Sequence, residues 1–110
     1  LWSRGLGDVY KRQHPDCIPD VAFQFIGDFF DCLPRAIEQL GRRAILAHLD
    51  IGTGEKNNSL TLAREIAPFV EKLLLPKAII ISDQEVQRWV LKKLPLPVGI
   101  AQDKIYIYRL

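Results

Sequence analysis

Residues 44–54, Ala-Ile-Leu-Ala-His-Leu-Asp-Ile-Gly-Thr-Gly, limit most strongly what this chain can become. A six-residue run, apolar except for His48, ends at Asp50, and Gly52 and Gly54 follow. A strand apolar on both faces belongs in a parallel sheet covered by helices on both sides. The carboxyl ends of such strands are where α/β proteins hold their ligands. The stretch therefore predicts an α/β fold and places the chemistry at this strand end.

The flanking sequence fits that frame. Residues 21–26 read as a short strand leaving through Gly27-Asp28. Leu33, Ala36, Ile37 and Leu40 share one helical face, with Asp31 as the expected N-cap, Pro34 in the first turn and Gly41 as the stop. After the glycine loop, Leu60, Ala63, Ile66, Ala67, Val70, Leu73 and Leu74 form one stripe of a long helix. Asn57, Asn58 and Ser59 are its expected caps, and a kink or break is expected at Pro68. Residues 78–81 are the next strand. Ser82 and Glu85 have capping-box spacing before a short helix at Val86, Trp89 and Val90. Ile105–Tyr108 is a last strand near a sheet edge. The alternation gives a Rossmann-like three-layer α/β sandwich with a mostly parallel sheet.

Composition narrows the class. With 48% hydrophobic and 25% charged residues, the chain of 110 residues is a globular domain or part of one, not a disordered segment. No apolar run approaches the roughly 18–20 residues that span a bilayer. Cys17 and Cys32 lack metal-ligand spacing and read as reduced thiols of a cytoplasmic protein. The chain begins at Leu1 and contains no Met, which predicts a fragment. Residues 1–13 resemble translated sequencing-adapter read-through, show no periodicity, and are set aside as a non-native segment ahead of one domain over 14–110. Arg4, Lys11 and Arg12 against Asp8 account for the whole formal net charge of +2, so residues 14–110 are neutral. The basic balance thus gives no argument for nucleic acid or membrane binding.

Asp50-Ile51-Gly52-Thr53-Gly54 has the form of a methyltransferase cofactor loop, but its context does not suit one. An acidic residue for the ribose should end the next strand about 20 positions on. Here Asp83 comes thirty-three positions on, beyond a helix with Pro68 inside it. A phosphate loop fits less well still: the stretch has the composition but not the spacing, because Lys56 precedes Asn57 and the Gly-Lys-Ser/Thr triplet is missing.

The order of several motifs resembles a small class I S-adenosyl-L-methionine-dependent methyltransferase family of bacteria, over about the last 95 residues. The motifs are His14-Pro15, Gly27-Asp28-Phe29 ahead of Leu33-Pro34, Ala47-His48-Leu49-Asp50-Ile51-Gly52-Thr53-Gly54, Ser82-Asp83, and Leu94-Pro-Leu-Pro97-Val-Gly99 running into Tyr106-Ile-Tyr108-Arg109. The resemblance puts the 44–49 strand fourth in the family's sheet. The first strand and main cofactor loop would then lie upstream, leaving 44–49 with an unpaired edge and 21–26 without its neighbour. It implies S-adenosyl-L-methionine as cofactor, with Gly27, Asp28 and Phe29 at the adenine. Asp50, with His48 beside it, would lie on the side of the methyl group and its acceptor.

Each residue also has a plainer role. Gly27-Asp28 is ordinary turn chemistry. Asp50 is equally suited to bracing the glycine loop, and His48 to a buried, hydrogen-bonded structural position. Asp83 lines the same edge or caps the next helix. Trp89, Tyr106 and Tyr108 are packing residues first. No metal site is expected. The expected function is methyl transfer to a small-molecule or unidentified acceptor, by a fragment inactive alone. The competing readings are a non-enzymatic α/β interaction module and a different nucleotide-binding enzyme using the 50–59 loop.

Overall fold

A computed structural model describes residues 2–4 and 20–110. In chain order the elements are β1 (Trp2–Arg4), a 3-10 turn (Val21–Phe23), β2 (Gln24–Ile26), α1 (Phe29–Leu40), β3 (Ala44–Leu49), α2 (Lys56–Leu73), β4 (Leu74–Ser82), a second 3-10 turn (Gln87–Lys92), β5 (Lys93–Leu94) and β6 (Tyr106–Arg109). The fold is Rossmann-like α/β, with two separate sheets. β1 and β2 form a short parallel pair, and the other strands form a sheet in the order β3-β4-β6-β5. β3 and β4 are parallel; β6 runs antiparallel to both of its neighbours. The edge of β3 expected to be unpaired has no partner strand among the described residues. β2, expected to lack a neighbour, takes one from residues 2–4, so a strand does form inside the segment read as aperiodic. The remainder of residues 1–13, with His14 and Cys17, lies outside the described residues.

The register separates the faces of the larger sheet. Ala47, Ile80 and Tyr108 are neighbours on one face, where Ile80 and Tyr108 are fully buried. Here α2 packs on β4, and the Gln87–Lys92 turn packs on β6 and α2. His48, Ile81, Ile107 and Leu94 share the opposite face with Leu46 and Ile79, and none of them is buried. The expectation of covered faces on both sides therefore holds on one side among the described residues. No helix among them is long and apolar enough to cross a membrane.

α1 starts earlier than its apolar period suggests. Its N-cap is Asp28, not Asp31: the Asp28 carboxylate accepts from Phe30 N–H at 2.7 Å. Pro34 consequently lies in the second turn, where it withholds one helical hydrogen bond. Gly41 ends the helix at φ 65°, donating to the carbonyl of Ile37. Cys32, Leu33 and Ala36 are buried, and Cys32 is a free thiol.

α2 runs through Pro68 without the expected break. Burial of Ala63, Ile66, Ala67 and Val70 offsets the roughly 3 kcal/mol that an interior proline costs. Its cap is Glu55, which accepts from Asn57 and Asn58 N–H at 3.3 and 2.7 Å, in place of the expected Asn57–Ser59 caps. Ser82 makes no capping box with Glu85; its hydroxyl exchanges hydrogen bonds with the backbone of Gln84. The following helix is only a 3-10 turn, interrupted at Trp89, whose side chain is fully buried. Its indole N–H donates to Glu71 at 3.0 Å, and its ring lies 5.6 Å from that of Tyr108.

Candidate functional site at the carboxyl edge

β3 and β4 end together, and their exits are tied to each other. Asp83 N–H donates to the Leu49 carbonyl at 3.0 Å, extending the parallel ladder one step. The Asp83 carboxylate then accepts from Ile51 N–H at 3.1 Å and Gly52 N–H at 2.8 Å. A Cβ on residue 52 would stand 2.9 Å from Asp83 Oδ2, so glycine is required there by close approach. Further along, Thr53 N–H donates to Ser59 Oγ at 2.8 Å, and Ser59 Oγ donates to the Glu55 carbonyl at 3.1 Å.

These contacts decide what the loop amides can do. A phosphate-binding loop needs free N–H groups and an open helix N-terminus. Here Asp83 occupies the amides of Ile51 and Gly52, and Glu55 occupies those of Asn57 and Asn58. Two carboxylates stand where an anion would bind. This argues against a nucleotide enzyme that uses the 50–59 loop on phosphate.

Asp50 is exposed and makes no hydrogen bond among the described residues. The bracing role falls to Asp83 instead. His48 is also exposed, because β3 is an edge strand and its face is uncovered. The reading of His48 as a buried, hydrogen-bonded structural residue is therefore corrected. Asp50 and His48 are not hydrogen-bonded to each other. Gly27, Asp28 and Phe29 stand at the end of β2, in the other sheet. Gly27 has φ 141°, and a Cβ there would lie 3.4 Å from Cys32 Sγ. Asp28 is exposed and Phe29 half-buried.

A cavity of about 500 Å³ opens between the Gly52 loop, the start of α2, the turn after β4 and the approach to β6. Glu55, Asp83, Glu85, Asp103 and Tyr106 line it, with Lys56 the one basic side chain in its wall among the described residues. Asp50 and His48 are not among its lining residues. Sequence reading gave Glu85 only a capping-box role, missed Asp103, and took Tyr106 as packing. The nearest signal was three acidic residues each placed one to three positions from a strand end. The Tyr106 hydroxyl is held above its ordinary pKa of 10.0 by burial, then by Asp103 and Glu85, with Lys93 opposing. Lys93 is raised by its hydrogen bond to Glu85, at 2.6 Å.

Residues 8–110 match the model of a family described as S-adenosyl-L-methionine methyltransferase. Among solved structures, the chain is similar to an S-adenosyl-L-methionine methyl transferase from Silicibacter pomeroyi DSS-3, with 31% sequence identity and a TM-score of 0.79. The match covers 97% of this chain and 63% of that one, so this chain spans less than two thirds of its length. No curated protein matches the chain.

Proposed function

We propose a function from one premise: the chain belongs to the S-adenosyl-L-methionine methyltransferase family. It is the C-terminal portion of a class I methyltransferase domain and supplies the acceptor side of a methyl transfer to a small molecule. The family implies S-adenosyl-L-methionine, which supplies a methyl group activated on a sulfonium centre. Part of that cofactor's site fits residues of this chain. Gly27 turns at φ 141°, a conformation that side chains rarely adopt, and so brings the chain past Cys32 into Asp28. Asp28 spends Oδ1 on α1 and keeps Oδ2 without a partner among the described residues, ready for an exocyclic amine.

The observation that carries the reading is the placement of Asp50. It stands exposed at the carboxyl end of β3, on a loop whose conformation is fixed by a different carboxylate. A side chain so held, and not used in holding the fold, is free to orient an acceptor or take its proton. His48, two residues earlier, shares that exposed side and assists. The free edge of β3 takes an upstream strand, and the cofactor loop arrives with it. The buried free thiol of Cys32 supports a reducing, cytoplasmic setting.

Calorimetric titration of the 110-residue chain with S-adenosyl-L-methionine tests the fragment reading. No appreciable binding is expected, whereas a chain extended upstream should bind. Micromolar binding by the present chain would overturn it. In the extended chain, Asp50→Ala should lower turnover while leaving cofactor affinity intact; equal turnover would remove Asp50 from the site.

A further inference from the structure

We infer that Asp83 is a positioning residue for the proposed transfer: it sets Asp50 for the acceptor without touching the acceptor itself. The inference rests on the reading of Asp50 given above. Asp50 is the single residue between two backbone groups that Asp83 holds. On one side the Leu49 carbonyl accepts the Asp83 N–H at 3.0 Å; on the other, Ile51 N–H donates to Asp83 Oδ1 at 3.1 Å. Gly52 N–H adds a further bond, to Oδ2 at 2.8 Å. One residue thus fixes the chain before and after Asp50, and the buried Ile51 side chain anchors the same segment in the core. Asp83 is itself held in place. It follows Ser82, which is fully buried and level with Leu49 in the ladder. The Ser82 hydroxyl donates to the Gln84 carbonyl at 2.7 Å and accepts from Gln84 N–H at 3.1 Å, fixing the turn that carries Asp83. The two carboxylates divide the work. Both oxygens of Asp83 are committed to backbone amides, whereas Asp50 is exposed and neither of its oxygens is bonded among the described residues. Direct methyl transfer depends on alignment, and a displacement of about 1 Å can cost it about a hundredfold. Asp83 therefore acts on the reaction through Asp50.

Two measurements test this. In the 110-residue chain, amide hydrogen exchange reads the clamp without cofactor or acceptor. The Ile51 and Gly52 amides should be protected in the parent and should exchange at least about tenfold faster in Asp83→Ala, with the ladder of β4 still protected. Asp83→Asn retains one acceptor oxygen and should restore protection at one of the two amides. Rapid exchange of both amides in the parent would overturn the clamp. The second measurement uses the chain extended upstream and follows loss of the methyl group from S-adenosyl-L-methionine. Asp83→Ala should lower kcat about ten- to a hundredfold with the KM for S-adenosyl-L-methionine unchanged, and Asp83→Asn should recover part of the loss. Added to Asp50→Ala, the same substitution should lower kcat by less than about twofold, because the residue it positions is gone. Its effect on the urea midpoint should be equal in both backgrounds, so a merely structural role would reduce turnover by the same factor in each. A full further loss in the Asp50→Ala background would overturn the positioning role and leave the reading of Asp50 intact. Unchanged turnover on Asp50→Ala alone would overturn both, and the exchange result would then describe a structural clamp.

Discussion

Asp83 Oδ2 accepts the Gly52 N–H at 2.8 Å, and a Cβ on residue 52 would approach that same oxygen to 2.9 Å. The hydrogen bond and the lack of a side chain are one requirement, because the short contact brings the backbone too close for any other residue. Gly52→Ala should destabilise the chain by about 1–3 kcal/mol, through a displaced carboxylate and two unpaired amides. Asp83→Ala should cost a similar amount, and the double variant less than the sum, since both break one contact. Urea unfolding of the three variants measures it. Additive losses would show the two residues to be independent.

Much of the fold can be read from the sequence where the signal is local. The apolar run ending at Asp50 gives β3 its observed bounds, and Leu33, Ala36 and Gly41 give α1 its buried face and its end. The caps were misplaced because Asp28 and Asp31, or Glu55 and Asn57, are equally good capping types; which one caps depends on where the chain leaves the preceding strand. The site was less legible. Asp83 reaches the loop from thirty-one residues away, a pairing created by two parallel strands ending level. The exposure of His48 depends on β3 being an edge, which no property of residues 44–49 reveals.

Lys77 marks a second place where topology overrides local preference. Between Ala44 and Leu46 the partner on β4 jumps from Leu74 to Ile79, so Leu75, Pro76 and Lys77 bulge out of the ladder. Lys77 adopts φ 68° while its N–H donates to the Leu110 carbonyl. A side chain in that conformation costs roughly 1–2 kcal/mol, partly returned by the lower chain entropy of a non-glycine residue. Lys77→Gly should therefore stabilise by about 0.5–1 kcal/mol, read as a higher urea midpoint. A lower midpoint would mean that the lysine stem contributes more than the strain removes.

Glu71 holds the second 3-10 turn against α2. One oxygen accepts the fully buried Trp89 indole N–H at 3.0 Å, and the other pairs with Arg88 at 2.7 Å. Glu71→Ala leaves the indole donor without an acceptor and should cost about 1–3 kcal/mol. Glu71→Gln keeps an acceptor for Trp89 and should lose less. Tryptophan fluorescence during unfolding follows both, and equal losses would assign the effect to the Arg88 ion pair.

The buried Tyr108 hydroxyl predicts how stability varies with alkaline pH. Burial first raises it above its ordinary pKa of 10.0, outweighing the bond it accepts from Val86 N–H at 2.9 Å. Between the unfolded and folded values the folded chain retains a proton that the unfolded chain has lost, so stability falls as pH rises. The contribution is complete below pH 10.0 and is lost above it. Tyr106 and Lys93 are shifted the same way and steepen the fall. Tyr108→Phe should flatten the slope above about pH 10. At neutral pH it should cost about 1–3 kcal/mol for the orphaned Val86 amide. An unchanged slope in denaturation series across that range would remove Tyr108 as its source.

The exposed edge of β3 carries the remaining prediction. Ile45 and Leu46 are 71% and 55% exposed, and residues 44–49 contain no charge or proline to discourage pairing. Unpaired strands of this kind recruit other strands. The 110-residue chain alone should therefore self-associate as its concentration rises. Ile45→Lys or Leu46→Lys should suppress this with little cost in stability, because neither side chain is buried among the described residues. A pairing strand supplied in cis should suppress it equally, by covering the same edge. Light scattering across a dilution series distinguishes the cases. If both lysine variants associate as strongly as the parent, the β3 edge is not the contact, and the uncovered face of Ile79, Ile81 and Ile107 becomes the surface to substitute next.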